Sequence, residues 1–205
     1  EVIFEELKMR KDTPRIYLFD KLLEKLYEKP FGSDLIGTYD SMNSLSREDL
    51  VEKWKKTYAT NNLILCCVGD CDFDTLVNFG EKNFSKTKSN IQKFEIKLKN
   101  IEKIEERKGV DQANLVFASH GPKSNEPLNS SFHVLFTLMG GGMSSILFSE
   151  IREKRNLAYA VKSEVNSSKN YCYGLFYVGT KKENVEKVKK IILEEFEKVS
   201  KRFTE

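Results

Sequence analysis

The sequence predicts an α+β fold, a mainly antiparallel sheet packed with helices and divided into two partial α/β modules. Three observations carry that expectation. Apolar residues recur at helical spacing in five or more segments. Residues 157–165 and 171–179 alternate apolar and polar as a pair of adjacent strands. Strict strand–helix–strand alternation, which a doubly wound parallel sheet would require, is missing.

The elements follow in order. Val2, Ile3 and Leu7 recur among acids, so residues 1–9 read as an amphipathic helix end. Asp12-Thr13-Pro14 combines a capping side chain with Pro at a first helical position. Phe19, Leu22, Leu23 and Leu26 line one face of the helix that follows. Residues 30–38 form a loop. Ser46 with Asp49 opens the next helix, whose buried stripe is expected to be Leu50, Trp54 and Tyr58. Asn61-Asn62 turns the chain into a buried strand over 63–69, and Asp72 caps a helix reaching about Phe84. Residues 85–90, Ser-Lys-Thr-Lys-Ser-Asn, are polar and lack an apolar anchor. They open a linker taken through 102, which separates a first module (1–84) from a second (103–205).

Within the linker, Phe94, Ile96 and Leu98 alternate as on a half-buried strand, and in the second module 112–118 is a strand. Residues 127–139 and 144–154 read as helices about Gly140-Gly141-Gly142, a flexible turn with a Ser cap on the following helix. After the paired strands, Thr180 and Glu183 make a capping box for a last helix carrying Val185, Val188, Ile192, Phe196 and Val199.

Composition excludes several classes. The 205 residues carry 34 Lys+Arg against 31 Asp+Glu, a net +3 that argues for neither nucleic acid nor a membrane surface as partner. With 40% apolar residues the chain can build a core, so disorder is not expected. The longest apolar run, Leu63 to Val68, is too short to span a bilayer. Cys66, Cys67, Cys71 and Cys172 sit in or beside apolar runs and read as buried thiols of a reducing, cytoplasmic-type compartment. The chain opens at Glu1 inside a helical pattern and stops after another helix, so both ends read as cut.

Few residues can carry chemistry. His120 and His133 are the only histidines, neither H-E-x-x-H nor H-x-x-E-H occurs, and a structural or surface role outweighs ligation for each. Gly140 to Gly142 precede a helix but lack the Lys of a phosphate cradle. Arg152 and Tyr159 offer a cation and a phenol, which on convergence stabilise an oxyanion. Spacing alone favours a helix-surface Arg and a packed Tyr. Glu5 and Glu6 lie beside Val2, Ile3, Phe4 and Leu7, so one of them is expected to point sideways or inward, where a helical carboxylate can ligate zinc.

The ordered strings resemble a known family. They are Val2-Ile3-Phe4-Glu5-Glu6-Leu7-Lys8-Met9 with Asp12-Thr13-Pro14, and Pro30-Phe31-Gly32 with Ile36-Gly37-Thr38. Tyr58, Asn61-Asn62-Leu63 and Val68-Gly69-Asp70 follow. The strongest is Gly140 through Phe148, running into Ile151-Arg152-Glu153-Lys154-Arg155-Asn156-Leu157-Ala158-Tyr159. Together they resemble the pitrilysin/insulinase superfamily of zinc metallopeptidases, the inverted-motif zincins that include mitochondrial-processing-peptidase-like proteins. The resemblance covers nearly the whole chain and matches the central, so-called inactive-domain segment.

It implies a zinc-dependent endopeptidase as parent, acting on peptides or unfolded polypeptides. Glu6 matches the third zinc ligand, and Arg152 and Tyr159 match an Arg and a Tyr seven positions apart that stabilise the tetrahedral intermediate. Gly140, Gly141 and Gly142 match a glycine-rich loop that lets backbone approach substrate. The H-x-x-E-H helix is not in this chain, so the resemblance implies that the chain alone is inactive and does not hold zinc. It further implies a peptide substrate and, as partner, the remaining half of the parent or a second subunit. The alternative is a non-catalytic peptide-binding or structural subunit of the same fold.

Overall fold

The computed structural model describes residues 2–90 and 92–202. They form two compact units: one combines residues 1–36 with 96–205, and the other is 37–95.

The larger unit is built on a three-stranded antiparallel sheet. Strands β1 (Gln112–His120), β2 (Ala158–Ser167) and β3 (Cys172–Lys181) lie in the order β1-β3-β2. The α+β expectation and both paired strands are therefore found. β3 is central and buried from Cys172 through Thr180, so its two sets of alternating side chains enter two different cores. One face carries Phe176 and Val178 against α6 (Asn129–Gly140) and α7 (Val185–Arg202), with Met139, Ile151, Val188 and Ile192 fully enclosed. Phe136 stacks on Phe176 at 4.5 Å between centroids. Each such buried side chain contributes roughly 1.5–3 kcal/mol. The other face carries Tyr173, Leu175 and Tyr177 against α2 (Pro14–Leu26), through Phe19, Leu22, Leu23 and Leu26.

α1 (Val2–Asp12) precedes α2, and Pro14 holds the first helical position as expected. Thr13 does not cap α2; its hydroxyl instead donates back to the Met9 carbonyl at 3.0 Å. Thr180 and Glu183 form no capping box either. Strand β3 runs through Lys181, and the buried Thr180 hydroxyl donates to the Leu157 carbonyl, tying the start of β2 to β3. A short 3-10 turn at Lys182–Asn184 leads into α7. The expected strand around 94–98 shrinks to a single bridge, Tyr27 to Leu98, because its backbone pairs with the end of α2 instead of a sheet: Lys99 N–H donates to Leu26 O at 2.8 Å.

The unit 37–95 holds α3 (Tyr39–Ser44), α4 (Arg47–Thr57) and α5 (Phe73–Asn83). Ser46 and Asp49 form the expected capping box, and the Asp72 carboxylate accepts from Thr75 N–H at 2.8 Å. Burial departs from expectation here. Leu50, Trp54 and Tyr58 are exposed, and residues 63–69 form no strand. The apolar run is present, but among the described residues no strand pairs with it, and an extended segment is held only by a hydrogen-bonding neighbour. Cys66, Cys67 and Cys71 are accordingly exposed, against the expected burial; Cys172 alone of the four is buried. Among the described residues, no helix is long and apolar enough to cross a membrane.

Candidate functional site

Tyr159 sits on an irregularity of the sheet. Ala158 pairs with Thr180 and Ala160 with Gly179, so two steps on β2 oppose one on β3, and Tyr159 is the extra residue of a bulge. A bulge turns a side chain out of the regular alternation. The Tyr159 ring lies over Gly179, where an added Cβ would fall 2.3 Å from its Cζ. The residue remains 45% exposed. Beneath it, the buried Tyr177 hydroxyl donates to Asn114 Oδ1 at 2.8 Å. Burial and a hydrogen bond with Tyr159 both push the Tyr177 phenol pKa up, against the opposing charge of Arg15. The Arg15 guanidinium lies 4.8 Å from the Tyr177 ring centroid.

Arg152 lies in the π-helical turn Phe148–Glu153, where a regular helix over 144–154 was expected. Its exposed guanidinium stacks on Phe148 at 5.0 Å, and no hydrogen bond joins it to Tyr159 among the described residues. The backbone between the two is strongly specified. Asn156 adopts the left-handed conformation at φ 49°, which Asn tolerates better than most residues. Its N–H closes on the Arg152 carbonyl at 3.0 Å, and Leu157 N–H closes on Ile151 O at 2.9 Å. Arg155 and Lys154 both pair with Glu150 across the same turn. Hydrogen bonds from Arg155 first, then Lys154, hold the Glu150 carboxyl down at about 2.

The three glycines have separate surroundings. Gly140 is buried, and a Cβ there would meet Ser163 Cβ at 2.9 Å and Phe176 Cδ1 at 3.0 Å, so it sets how closely α6 approaches the sheet. Gly141 closes α6, its N–H donating to Thr137 O at 2.8 Å. Gly142 is open on its Cβ side. The expected Ser cap is not formed; the Ser145 hydroxyl donates to Gly142 O at 2.6 Å and tightens the turn.

Glu5 and Glu6 are both exposed, so neither points inward. Glu6 borders a cleft of about 330 Å³ with Arg10, Asp20 and Asp34. Arg10 lies one turn along α1 from Glu6, but it makes a two-pronged pair with the well-covered Asp20, its Nε donating to Oδ2 at 3.0 Å. That hydrogen bond, outweighing a desolvation penalty and with the fields of Glu6 and Asp34 adding, raises the Arg10 pKa. Glu6 itself has no hydrogen bond or ion pair among the described residues. Nor do these residues include a group of three or more His, Cys, Asp or Glu able to hold a metal. A single carboxylate is not a zinc site.

The histidines keep structural or surface positions. His133 is exposed on α6, and half-buried His120 places Nε2 2.9 Å from Lys99 O with its ring 5.1 Å from Tyr27. The sequence offered no sign of Tyr177, Asn114 and Gly179 as neighbours of Tyr159. They meet only through the register of three strands. Nor did the sequence show that Asp20 takes up Arg10, one helical turn from Glu6.

Comparison with known proteins places the chain. It is 28% identical over 208 residues to an uncharacterized zinc protease of Rickettsia felis, spanning 100% of this chain and 50% of that protein. It is 28% identical over 217 residues to an uncharacterized zinc protease of Streptomyces coelicolor, spanning 97% of this chain and 46% of that one. The chain thus spans about half the length of the curated relatives it matches. Among solved structures, a peptidase M16 inactive domain from Pseudomonas fluorescens superposes with TM-score 0.78 at 21% identity, over 96% of this chain and 49% of that one. A protease from Helicobacter pylori superposes with TM-score 0.79 at 22% identity, over 98% and 51%. These two share the fold. Residues 44–205 match the family model described as the peptidase M16 inactive domain. The chain belongs to that family, within the pitrilysin/insulinase superfamily, and is an inactive-domain segment of zinc-protease-like proteins.

Proposed function

We propose that this chain is the central segment of a zinc-dependent endopeptidase that cleaves peptides or unfolded polypeptides. In that reading residues 1–84 belong to the first module, 85–102 to a linker and 103–205 to the second. The observation that carries the proposal is the Arg152–Tyr159 pair: an exposed cation and an exposed phenol, joined by a specified turn and a bulge, in a chain whose relatives are named zinc proteases.

The chain's own residues contribute three functions. Arg152 and Tyr159 bring positive charge and a hydroxyl donor to the oxygen that becomes negative when a peptide carbonyl turns tetrahedral. The Gly142 end of the glycine loop leaves room for peptide backbone. Glu6, exposed and without a hydrogen bond or ion pair among the described residues, is available as one metal ligand whose partners come from another part of the protein. Because one carboxylate does not hold zinc, the 205 residues alone neither bind it firmly nor hydrolyse peptides. The partners are the remaining half of the parent or a second subunit.

A second reading, a non-catalytic subunit of the same fold, draws on the exposed Trp54, Ile64, Val68 and Phe73, an apolar set suited to burial against a partner. The full-length parent decides between them. An H-x-x-E-H outside these residues, with cleavage abolished by a chelator, is expected for the enzyme. Arg152→Ala and Tyr159→Phe should each lower kcat by roughly 10²–10³-fold with the far-ultraviolet spectrum intact. Absence of the motif, or unchanged cleavage in both variants, overturns the catalytic reading.

A further inference from the structure

Arg152 is held by an aromatic ring and by no carboxylate. Its neighbours three and four residues away are Phe148, Ser149, Arg155 and Asn156, none of them acidic. The acids nearest along the chain are Glu150 and Glu153. Glu150 is occupied. Lys154 Nζ and Arg155 Nη1 both pair with its carboxylate, and Arg155 Nη1 also donates to the Glu150 carbonyl at 2.7 Å. Glu153 is adjacent, and side chains one residue apart on a helical turn do not face each other. Among the described residues no ion pair reaches Arg152, and its guanidinium lies 5.0 Å from the Phe148 ring centroid. Phe148 is itself anchored: it is half-buried and packs against the core that encloses Leu147 and Ile151. The backbone carrying both side chains is closed by Lys154 N–H on Ser149 O at 2.9 Å and by Asn156 N–H on Arg152 O at 3.0 Å.

We propose that Phe148 is a positioning residue for Arg152, its ring fixing the guanidinium in place without cancelling the charge. The proposal rests on the peptidase reading above. Its physical basis is the difference between two ways of holding a cation. A carboxylate would fix the guanidinium, but its own negative charge would oppose the field that Arg152 sends to a developing oxyanion. A benzene ring carries a quadrupole and no net charge, so it attracts the cation and leaves the field at a distance nearly whole. An arginine has a long side chain with much rotamer freedom. Without a holding contact its head visits several positions, of which few face the reacting oxygen. The ring removes that freedom before substrate arrives, which is the preorganisation that oxyanion stabilisation requires. Glu150 belongs to the same arrangement, because its carboxylate is already taken by Lys154 and Arg155.

The test uses the full-length parent and compares Phe148→Leu, Arg152→Ala and the double variant by kcat and KM separately. Phe148→Leu keeps an apolar group against the core and removes the ring. It is expected to lower kcat roughly two- to fivefold, the scale of one exposed cation–π contact, with KM level. Phe148→Met, a second ringless side chain that adapts to the same space, should match it. Phe148→Tyr keeps the ring and should recover most of the loss. In the Arg152→Ala background Phe148→Leu should do nothing further, a full coupling between the two sites. A side chain that served packing alone would act equally in both backgrounds, so a Phe148→Leu effect that persists without Arg152 overturns the proposal. So does a loss confined to KM, or one seen with only one of the two ringless variants. A second readout does not need activity. The ring current of Phe148 should displace the Arg152 Cδ proton resonances in carbon-13-arginine-labelled protein, assigned with Arg152→Lys, and Phe148→Leu should abolish that displacement. Resonances that stay where they were also overturn the proposal. If Arg152→Ala itself leaves cleavage unchanged, the peptidase role of Arg152 fails, and this inference fails with it; a slow Arg152→Ala beside a wild-type-like Phe148→Leu removes the inference alone.

Discussion

The Tyr159 ring occupies the space in which a Cβ on Gly179 would sit, 2.3 Å from Cζ and 2.5 Å from the phenol oxygen. Neither residue explains this arrangement alone. The bulge between Ala158 and Ala160 swings Tyr159 across the sheet, and the glycine leaves the slot open. Gly179→Ala must therefore displace the ring, while the strand itself accepts alanine. The expected result is a loss of about 1–3 kcal/mol in denaturant unfolding, together with a changed near-ultraviolet tyrosine signal. A variant as stable as the parent chain with an unaltered spectrum would contradict the contact.

The glycine loop yields a contrast between two neighbours. Gly140→Ala places a methyl 2.9 Å from Ser163 Cβ and 3.0 Å from Phe176, both within the packed sheet–helix interface. It should cost roughly 1–3 kcal/mol. Gly142→Ala meets nothing within 4 Å and should stay within about 0.5 kcal/mol of the parent chain. Equal effects in a urea titration would show that the two positions are not packed as described.

Glu150 predicts a pH dependence with a definite sign. Its carboxyl is held at about 2, below its ordinary 4.5, by Arg155 and then Lys154. A folded value below the unfolded one stabilises the protein in full above the unfolded value. That contribution fades as the pH falls through the folded value. The stability gap between the parent chain and Glu150→Gln should be constant above about pH 5 and close as pH approaches 2. Thermal unfolding at stepped pH measures it, and a gap that widens on acidification would be the wrong sign.

Ile151 lies within the π-helical turn beside Arg152 but is completely enclosed. Ile151→Ala should cost about 2–5 kcal/mol and loosen the turn that carries Arg152. Faster amide hydrogen exchange at Asn156 and Leu157, whose N–H groups close on Arg152 and Ile151, would report that loosening. Unchanged exchange would separate the core from the turn.

Much of the fold was legible because it depends on local signals. The capping box at Ser46 and Asp49, the Asp72 cap, Pro14 and the paired strands rest on hydrogen bonds and periodicities spanning a few residues. The errors share a different physical origin. Leu63 to Val68 and the Leu50–Trp54–Tyr58 stripe are apolar enough to be buried, but burial requires a neighbour, and hydrophobicity in a sequence does not name one. Thr180 fits a capping pattern, yet the strand continues through it, paired with Ala113 on one side and Ala158 on the other, while its hydroxyl donates to the Leu157 carbonyl.

The candidate site divides in the same way. The sequence by itself determined which chemical groups are present: Glu6, Arg152, Tyr159 and the Gly140–Gly142 loop, with no H-x-x-E-H among them, and an ordered set of strings sufficient to indicate the superfamily. Only the tertiary structure decided what surrounds each group. It gave Arg10 to Asp20 while Glu6 makes no hydrogen bond or ion pair among the described residues, gave Gly140 to helix packing and left Gly142 open, and set Tyr159 on Gly179 with Tyr177 and Asn114 behind it. Asn114 and Tyr177 are 63 residues apart along the chain. Contacts at that separation follow from strand register and sheet order, which are settled by the packing of the whole core and not by any local pattern.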